Sequence, residues 1–250
     1  MKSWFGSFVV TLLFSLCTSS VNADAVRVIA AGDSITDGYA YQRMRLQRAL
    51  DTVSIDCTAM HAAYSGRKAQ DFINEGGINA TLDKDPDVIL LMLGTNDALR
   101  ASFSAPDTYF DDYTLAMSSI FEAVHAFTNT RGESPEIILL NLIPVIDKPA
   151  LPGSVNIDFA NQAIEAFNTW LEQQAQQHGY SLFDTYTLIT SQPDWQDMYN
   201  DGIHLWGDDE RGYDLMADQL AQQVETVMLP EPIAASSLMI LLATTRLRQR

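Results

Sequence analysis

The chain reads as an α/β protein, a three-layer α/β/α sandwich built on a parallel β-sheet. Three observations predict this. Short runs rich in Val, Ile and Leu recur without polar alternation, the pattern of strands buried on both faces. Helical stretches separate them, and strands alternating with helices pair in parallel through crossover connections. Glycine-containing polar clusters follow the first three runs, at the carboxyl ends of strands where open parallel sheets build their sites.

Taken in order, residues 26–31 form the first run, ending at Gly32, and a helix is expected over 41–50. Residues 55–63 give the second strand. The third, 88–93, is introduced by Pro86 and stopped by Gly94. A long helix covers 108–127. The fourth strand, 136–142, is bounded by Pro135 and Pro144. Helix 157–177 closes at His178-Gly179, where glycine suits the left-handed position past a helix end. A fifth short strand follows at 180–183, and a last helix runs from about 209 to 227.

A length of 250 residues allows one domain plus processing segments. Hydrophobic residues make up 47% and charged residues 19%, ordinary values for a chain with a real core. The formal net charge of −17 repels phosphate backbones, which argues against a nucleic-acid partner. Asp83, Asp85 and Asp87 alternate. Pro86 interrupts them and no calcium-loop Gly and Glu follow, so no metal is expected there.

Both ends carry the marks of processing. Lys2, an apolar run over 5–16 and the small residues of Val21-Asn22-Ala23 and Ala23-Asp24-Ala25 have the layout of a secretory signal peptide, assigned to residues 1–25. Cys17 follows Leu16 rather than a small residue, which disfavours a lipoprotein anchor. With that leader removed, Cys57 is the only cysteine. No internal disulfide is then expected, and Cys57 reads as a buried small hydrophobe. At the other end, Pro230-Glu231-Pro232 precedes an apolar run over 233–243 and then Arg246, Arg248 and Arg250. This tail, 230–250, resembles a PEP-CTERM sorting signal, which implies cutting or anchoring by a sorting protease at the bacterial cell surface. Its run has 11 residues, short of the roughly 20 that span a bilayer. The alternative is an amphiphilic tail helix. The folded domain is expected over 26–229.

Three clusters could carry chemistry. In Gly32-Asp33-Ser34-Ile35-Thr36, a serine on a tight turn after a buried strand can present its hydroxyl, and a helix starting there would leave its N–H available to an anion. Taken alone, this cluster reads better as a helix N-cap. The G-x-S-x-G elbow is absent, because Thr36 occupies the last position. In Asp201-Gly202-Ile203-His204, a carboxylate and an imidazole lie three residues apart. A serine hydroxyl needs such a base, and the base needs a carboxylate to fix its tautomer. The plain reading is a capped turn with a surface histidine. Of the other histidines, His125 and His178 fall in or at the end of predicted helices, which leaves His61 as the rival base. In Gly94-Thr95-Asn96-Asp97, the Asn side chain can donate to a developing oxyanion, and Gly66 offers a backbone N–H after the second strand; each also reads as a turn.

Together, Gly32-Asp33-Ser34, Gly66, Gly94-x-Asn96-Asp97 and Asp201-x-x-His204 occur in the order and places that resemble the SGNH (GDSL-type) hydrolase family. The resemblance implies a flavodoxin-like fold with a five-stranded parallel sheet. It implies a catalytic triad of Ser34, His204 and Asp201 and an oxyanion hole from the Ser34 N–H, the Gly66 N–H and the Asn96 side chain, with Asp33, Gly94 and Asp97 in support. It also implies hydrolysis of carboxylic esters through an acyl-enzyme, with no cofactor or metal. The segment from Val26-Arg27-Val28 to Gly38, with Tyr41 and Arg43, resembles the acetylxylan-esterase-like branch, so a small-molecule or polysaccharide ester is expected, with deacetylation of carbohydrate preferred. Trp170, Trp195 and Trp206 are candidates for stacking on sugar rings or for the core. The alternatives are a broad lipase, arylesterase or thioesterase on acyl esters, or a non-catalytic carbohydrate-binding module on the same scaffold.

Overall fold

A computed structural model describes residues 25–104, 108–206 and 211–229. The expected leader up to Asp24 and the tail from Pro230 lie outside the described residues. Five strands form one fully parallel sheet: β1 (Val26–Gly32), β2 (Cys57–Ala63), β3 (Val88–Met92), β4 (Glu136–Leu140) and β5 (Ser181–Phe183), in the order β2-β1-β3-β4-β5. One register row crosses the sheet through Ala62, Ala31, Leu91, Leu139 and Leu182. The strand order reverses direction between β1 and β3, the switch point where such sheets open a crevice. All five residues of β3 are buried, as a run without alternation requires.

Nine α-helices occur among the described residues: α1 (Ser34–Thr36), α2 (Arg45–Leu50), α3 (Ala69–Asn74), α4 (Gly77–Leu82), α5 (Thr95–Ser104), α6 (Tyr109–His125), α7 (Ile157–His178), α8 (Thr185–Thr190) and α9 (Tyr213–Met228). α2 packs with α9, while α3 and α4 pack with α6, and α5 and α6 with α7, so helices cover both faces. α7 shows the pattern that makes this work. Ala160, Ala163, Ile164, Phe167, Leu171 and Ala175 recur at three- and four-residue spacing and are all buried. Asn156 caps its start, accepting from the Phe159 N–H, and Gly179 ends it at φ 74°.

The structure corrects several expected boundaries. The helix expected over 41–50 is regular only from Arg45. Before it come a π-turn at Asp37–Tyr41 and a 3-10 turn at Gln42–Met44, with Arg43 and Met44 both left-handed (φ 58° and 53°). The fourth strand ends at Leu140 rather than 142. Asn168 on α7 takes over the backbone of Leu142, bonding its N–H at 2.7 Å and its carbonyl at 2.9 Å. Asn161, seven residues earlier on the same helix, does the same for Val145. These two side chains satisfy the chain where the ladder stops. The last helix starts at Tyr213, not near 209, because Gly212 precedes it in a conformation outside the helical region. α3, α4, α5 and α8 were not expected; α3, α4 and α8 have six residues each, too few for a periodic signal. Cys57 is buried and unpaired, and burial pushes its thiol up to about 11.

Gly32 closes β1 where space vanishes. A Cβ there would lie 2.1 Å from Thr36 Oγ1 and 2.3 Å from the Met92 carbonyl oxygen. The second is backbone in the neighbouring strand and cannot turn aside. Gly32→Ala should therefore destabilise the fold by about 1–3 kcal/mol, read as a lower urea midpoint with an unchanged m-value.

Candidate active site

The site lies beyond the carboxyl ends of β1, β2 and β3. Asp33 follows β1 with extended backbone and caps α1, its carboxylate accepting from the Ile35 N–H at 3.0 Å. Ser34 is the first residue of α1, so intrahelical bonding makes no use of its N–H. Its Oγ lies 2.7 Å from His204 Nε2. His204 Nδ1 in turn lies 2.7 Å from Asp201 Oδ2. The carboxylate accepts the Nδ1–H, which leaves Nε2 as the acceptor for the Ser34 hydroxyl.

His204 reaches this place by way of a small hairpin that nothing in the sequence advertised. Tyr199 and Leu205 pair as an antiparallel bridge, flanked by Asn200 N–H to His204 carbonyl and Trp206 N–H to Met198 carbonyl, both 2.7 Å. The Ile146 N–H donates to the Gly202 carbonyl at 2.9 Å, and the Tyr199 hydroxyl to the Pro144 carbonyl at 2.7 Å. Gly202 has φ 94°, and a Cβ there would meet the Ile146 carbonyl at 2.5 Å, so the turn between Asp201 and His204 depends on glycine. The other oxygen of Asp201 accepts from the backbone N–H groups of Ile203 and His204, at 2.9 and 2.8 Å. Partial burial works to raise the Asp201 pKa. The His204 backbone and ring donors, the Ile203 N–H and the charge of His204 together outweigh it and hold the carboxyl below its ordinary value.

The two glycine turns expected near an oxyanion sit on either side of β1. Gly66 follows β2 at φ 75°, and a side chain there would meet nothing within 4 Å, so this turn borders open space. The cluster Gly94–Asp97 is the start of a helix rather than a turn, since α5 begins at Thr95. Gly94 packs its Cα against Leu142 and Tyr113, and the Tyr113 hydroxyl donates to the Leu93 carbonyl at 3.1 Å. Asn96 donates one amide hydrogen to Asp33 Oδ2 at 3.0 Å, which orients the amide and leaves its second hydrogen for another acceptor. Asp97 accepts the Ala69 N–H at 3.0 Å and so ties α5 to the start of α3, three residues beyond Gly66. The sequence grouped Asp33 and Asp97 with the site without a task for either; these bonds supply one.

Both carboxyls are deeply buried. Burial is the largest influence on each and raises Asp33 to about 6, against the Ile35 N–H, His204 and Asn96, and Asp97 to about 7, against the Ala69 N–H and Lys68. The remaining histidines stand elsewhere. His61, the rival base, lies within β2 with its ring 4.3 Å from that of Tyr41, and burial lowers its pKa. His125 meets the Tyr180 hydroxyl at 2.6 Å at the end of α6, and His178 ends α7. Asp85 and Asp87 are engaged by Arg27, and Asp87 also by Arg131. Among the described residues, no group of three or more His, Cys, Asp or Glu is placed to hold a metal ion.

A model of the GDSL-like Lipase/Acylhydrolase family matches residues 30–224, a stretch that runs from within β1 into α9 and takes in Asp33, Ser34, Gly66, Asn96, Asp97, Asp201 and His204. The chain belongs to that family. An acetylxylan esterase of Xylanibacter ruminicola is 25% identical to this family member over 220 residues, 81% of the chain but 44% of that enzyme, so the chain spans less than half the length of the curated relative it matches. Solved structures share the fold. A lipase/acylhydrolase from Enterococcus faecalis superposes with a TM-score of 0.63 at 17% identity, over 82% of this chain and 98% of that one. An aryl esterase of M. smegmatis gives 0.61 at 20%, over 82% and 100%. A catalytic mutant of an acetylxylan esterase from Geobacillus stearothermophilus gives 0.60 at 16%, over 80% and 93%.

The two raised carboxyls have a measurable consequence. A carboxyl whose folded pKa lies above its unfolded value keeps its proton longer in the native state. Native protein then binds more protons than unfolded between pH about 4 and 7, and stability contributed by that group falls as pH rises through this window. Asp97→Asn keeps an acceptor for the Ala69 N–H and cannot ionise. Plotted as variant minus wild type, unfolding free energy should rise from pH 4 to pH 7 and then level off, measured by denaturant titration at each pH. A flat difference would show that Asp97 ionises as freely when folded as when unfolded.

Proposed function

We propose that this chain is a secreted serine esterase that removes acetyl groups from carbohydrate. The observation that carries the esterase reading is the unbroken chain from Ser34 Oγ through His204 to Asp201, with both links at 2.7 Å. In this reading His204 takes the Ser34 proton as the oxygen attacks the ester carbonyl, and Asp201 stabilises the imidazolium that forms. The tetrahedral oxyanion is received by the Ser34 N–H, the Gly66 N–H and the free amide hydrogen of Asn96. The imidazolium then gives its proton to the departing alcohol. Water, deprotonated by His204 in its turn, releases acetate and restores Ser34. Every proton in the cycle moves on one imidazole, so no other acid or base is required.

The carbohydrate half of the reading is supported by the similarity to an acetylxylan esterase and by the opening segment through Tyr41 and Arg43. Secretion is supported by the charge and hydropathy pattern of residues 1–25, and surface retention by the Pro-Glu-Pro tail. Intact-mass analysis of protein from the native host tests both ends. A mature chain starting near Asp24 or Val26 and cut near Pro230 fits the proposal; an active soluble chain ending at Arg250 would remove the sorting reading.

Ser34→Ala and His204→Ala should each lower kcat by several orders of magnitude, and the double variant should be little worse than either, because the pair acts as one unit. Near-normal turnover in Ser34→Ala would sink the assignment. Asn96→Ala should cost about 10²–10³-fold in kcat, the usual size for one lost oxyanion donor. Acetate release from acetylated sugars, acetylated polysaccharide and acyl esters of graded length separates a carbohydrate deacetylase from a broad acyl esterase.

A further inference from the structure

The three tryptophans of the folded domain have different surroundings. Trp170 lies against Tyr113 and Phe121 on the buried side of α6 and α7. Trp195 meets the edge of Tyr199 and borders a separate cavity with Pro144, Ile146 and Tyr186. Trp206 is 51% exposed, two residues after His204. The hairpin that carries the base sets its direction. Leu205 pairs with Tyr199 and is 3% exposed, so it faces the core. In extended chain, neighbours of an inward residue point outward and residues two apart share a face. Trp206 therefore projects from the same face as His204, whose ring meets Ser34.

The Trp206 backbone is also held from behind. The Trp206 N–H donates to the Met198 carbonyl at 2.7 Å and its carbonyl accepts from the Tyr213 N–H at 3.3 Å. Gly212 lies so close that a Cβ would come within 2.3 Å of the Trp206 oxygen. A broad apolar ring is thus kept at the open side of the site on a fixed backbone. Such a surface binds at low entropy cost. The C–H face of a pyranose matches it; a short acyl chain does not need it.

We infer that Trp206 is a stacking platform for the sugar ring on the alcohol side of the scissile ester. The side follows from the chemistry: His204 hands its proton to the leaving alcohol, so the group beside His204 borders that alcohol rather than the acetyl group. The inference rests on the carbohydrate reading above and adds the residue and the subsite.

Steady-state kinetics of wild type, Trp206→Ala and Trp206→Phe on peracetylated xylose and on ethyl acetate, which has no ring, test it. Wild type should prefer the sugar acetate in kcat/KM. Trp206→Ala should lower that preference three- to ten-fold, through KM rather than kcat, because a ring contact made equally in the ground and transition states is uniform binding. Trp206→Phe should recover part of the loss. An unchanged preference in Trp206→Ala, with wild type still favouring the sugar, overturns the platform and leaves the carbohydrate reading standing. An equal fall on both substrates means that the indole only props the hairpin, and also overturns it. A wild type with no preference for the sugar acetate overturns both.

Discussion

Asp33 is almost fully buried between the ends of β1 and β3, and its two oxygens serve different elements. One holds the Ile35 N–H and so shapes the turn that presents Ser34; the other holds the Asn96 amide on the neighbouring helix start. Remove that carboxylate and the two elements meeting at the switch point lose the polar link between them. Asp97 extends the link to a third element through the Ala69 N–H. The ends of β1, β2 and β3 are thereby tied by two side chains, and in the proposed esterase the oxyanion donors, carried on three separate elements, would draw from those ties the fixed spacing that electrostatic preorganisation demands.

This arrangement opposes stability. A buried carboxyl with only one or two donors is not fully compensated for lost hydration, and the raised values of Asp33 and Asp97 record that shortfall. The sheet supports it: β3 is buried along its whole length, and Tyr113 and Phe167 stack at 3.9 Å beneath Gly94. The base is held in another way. Asp201 is partly exposed, its carboxyl is lowered rather than raised, and its loop is fixed by backbone hydrogen bonds to Ile146, Met198 and His204 itself. Strand ends carry Ser34, Gly66 and Asn96, while a glycine-dependent hairpin carries His204.

Some of this was legible in the chain and some was not. β1, β3 and β4 announced themselves as non-alternating apolar runs because burial on both faces leaves no other pattern. Ser34, Asn96 and His204 each also fit a cap or a turn, and only the clusters taken together, in their order along the chain, pointed to one family. The hidden parts depend on contacts between distant segments. Asn168 and Asn161 end β4 from α7, and no local signal distinguishes them from surface asparagines. A helix was expected over 41–50, yet Arg43 and Met44 take left-handed conformations. The Tyr199–Leu205 bridge consists of one residue pair, too short for any pattern to reveal.

That last pair shows where specificity can vary on this scaffold. Ser34, Asn96 and Asp97 sit on elements whose displacement would disturb the sheet, so they are poorly placed to adapt to a substrate. The hairpin has two faces with separate duties. Inward, Tyr199 and Leu205 fill the core and set the register of the loop. Outward, His204 meets Ser34, and in the proposed reading Trp206 meets whatever lies beyond the scissile oxygen. Exchange of the outward aromatic would leave the Ile146–Gly202 and Asn200–His204 bonds intact, because both are made by backbone atoms. The proposed alcohol subsite is thus separable from the Ser34–His204 pair by one residue of sequence and by one turn of the pleat.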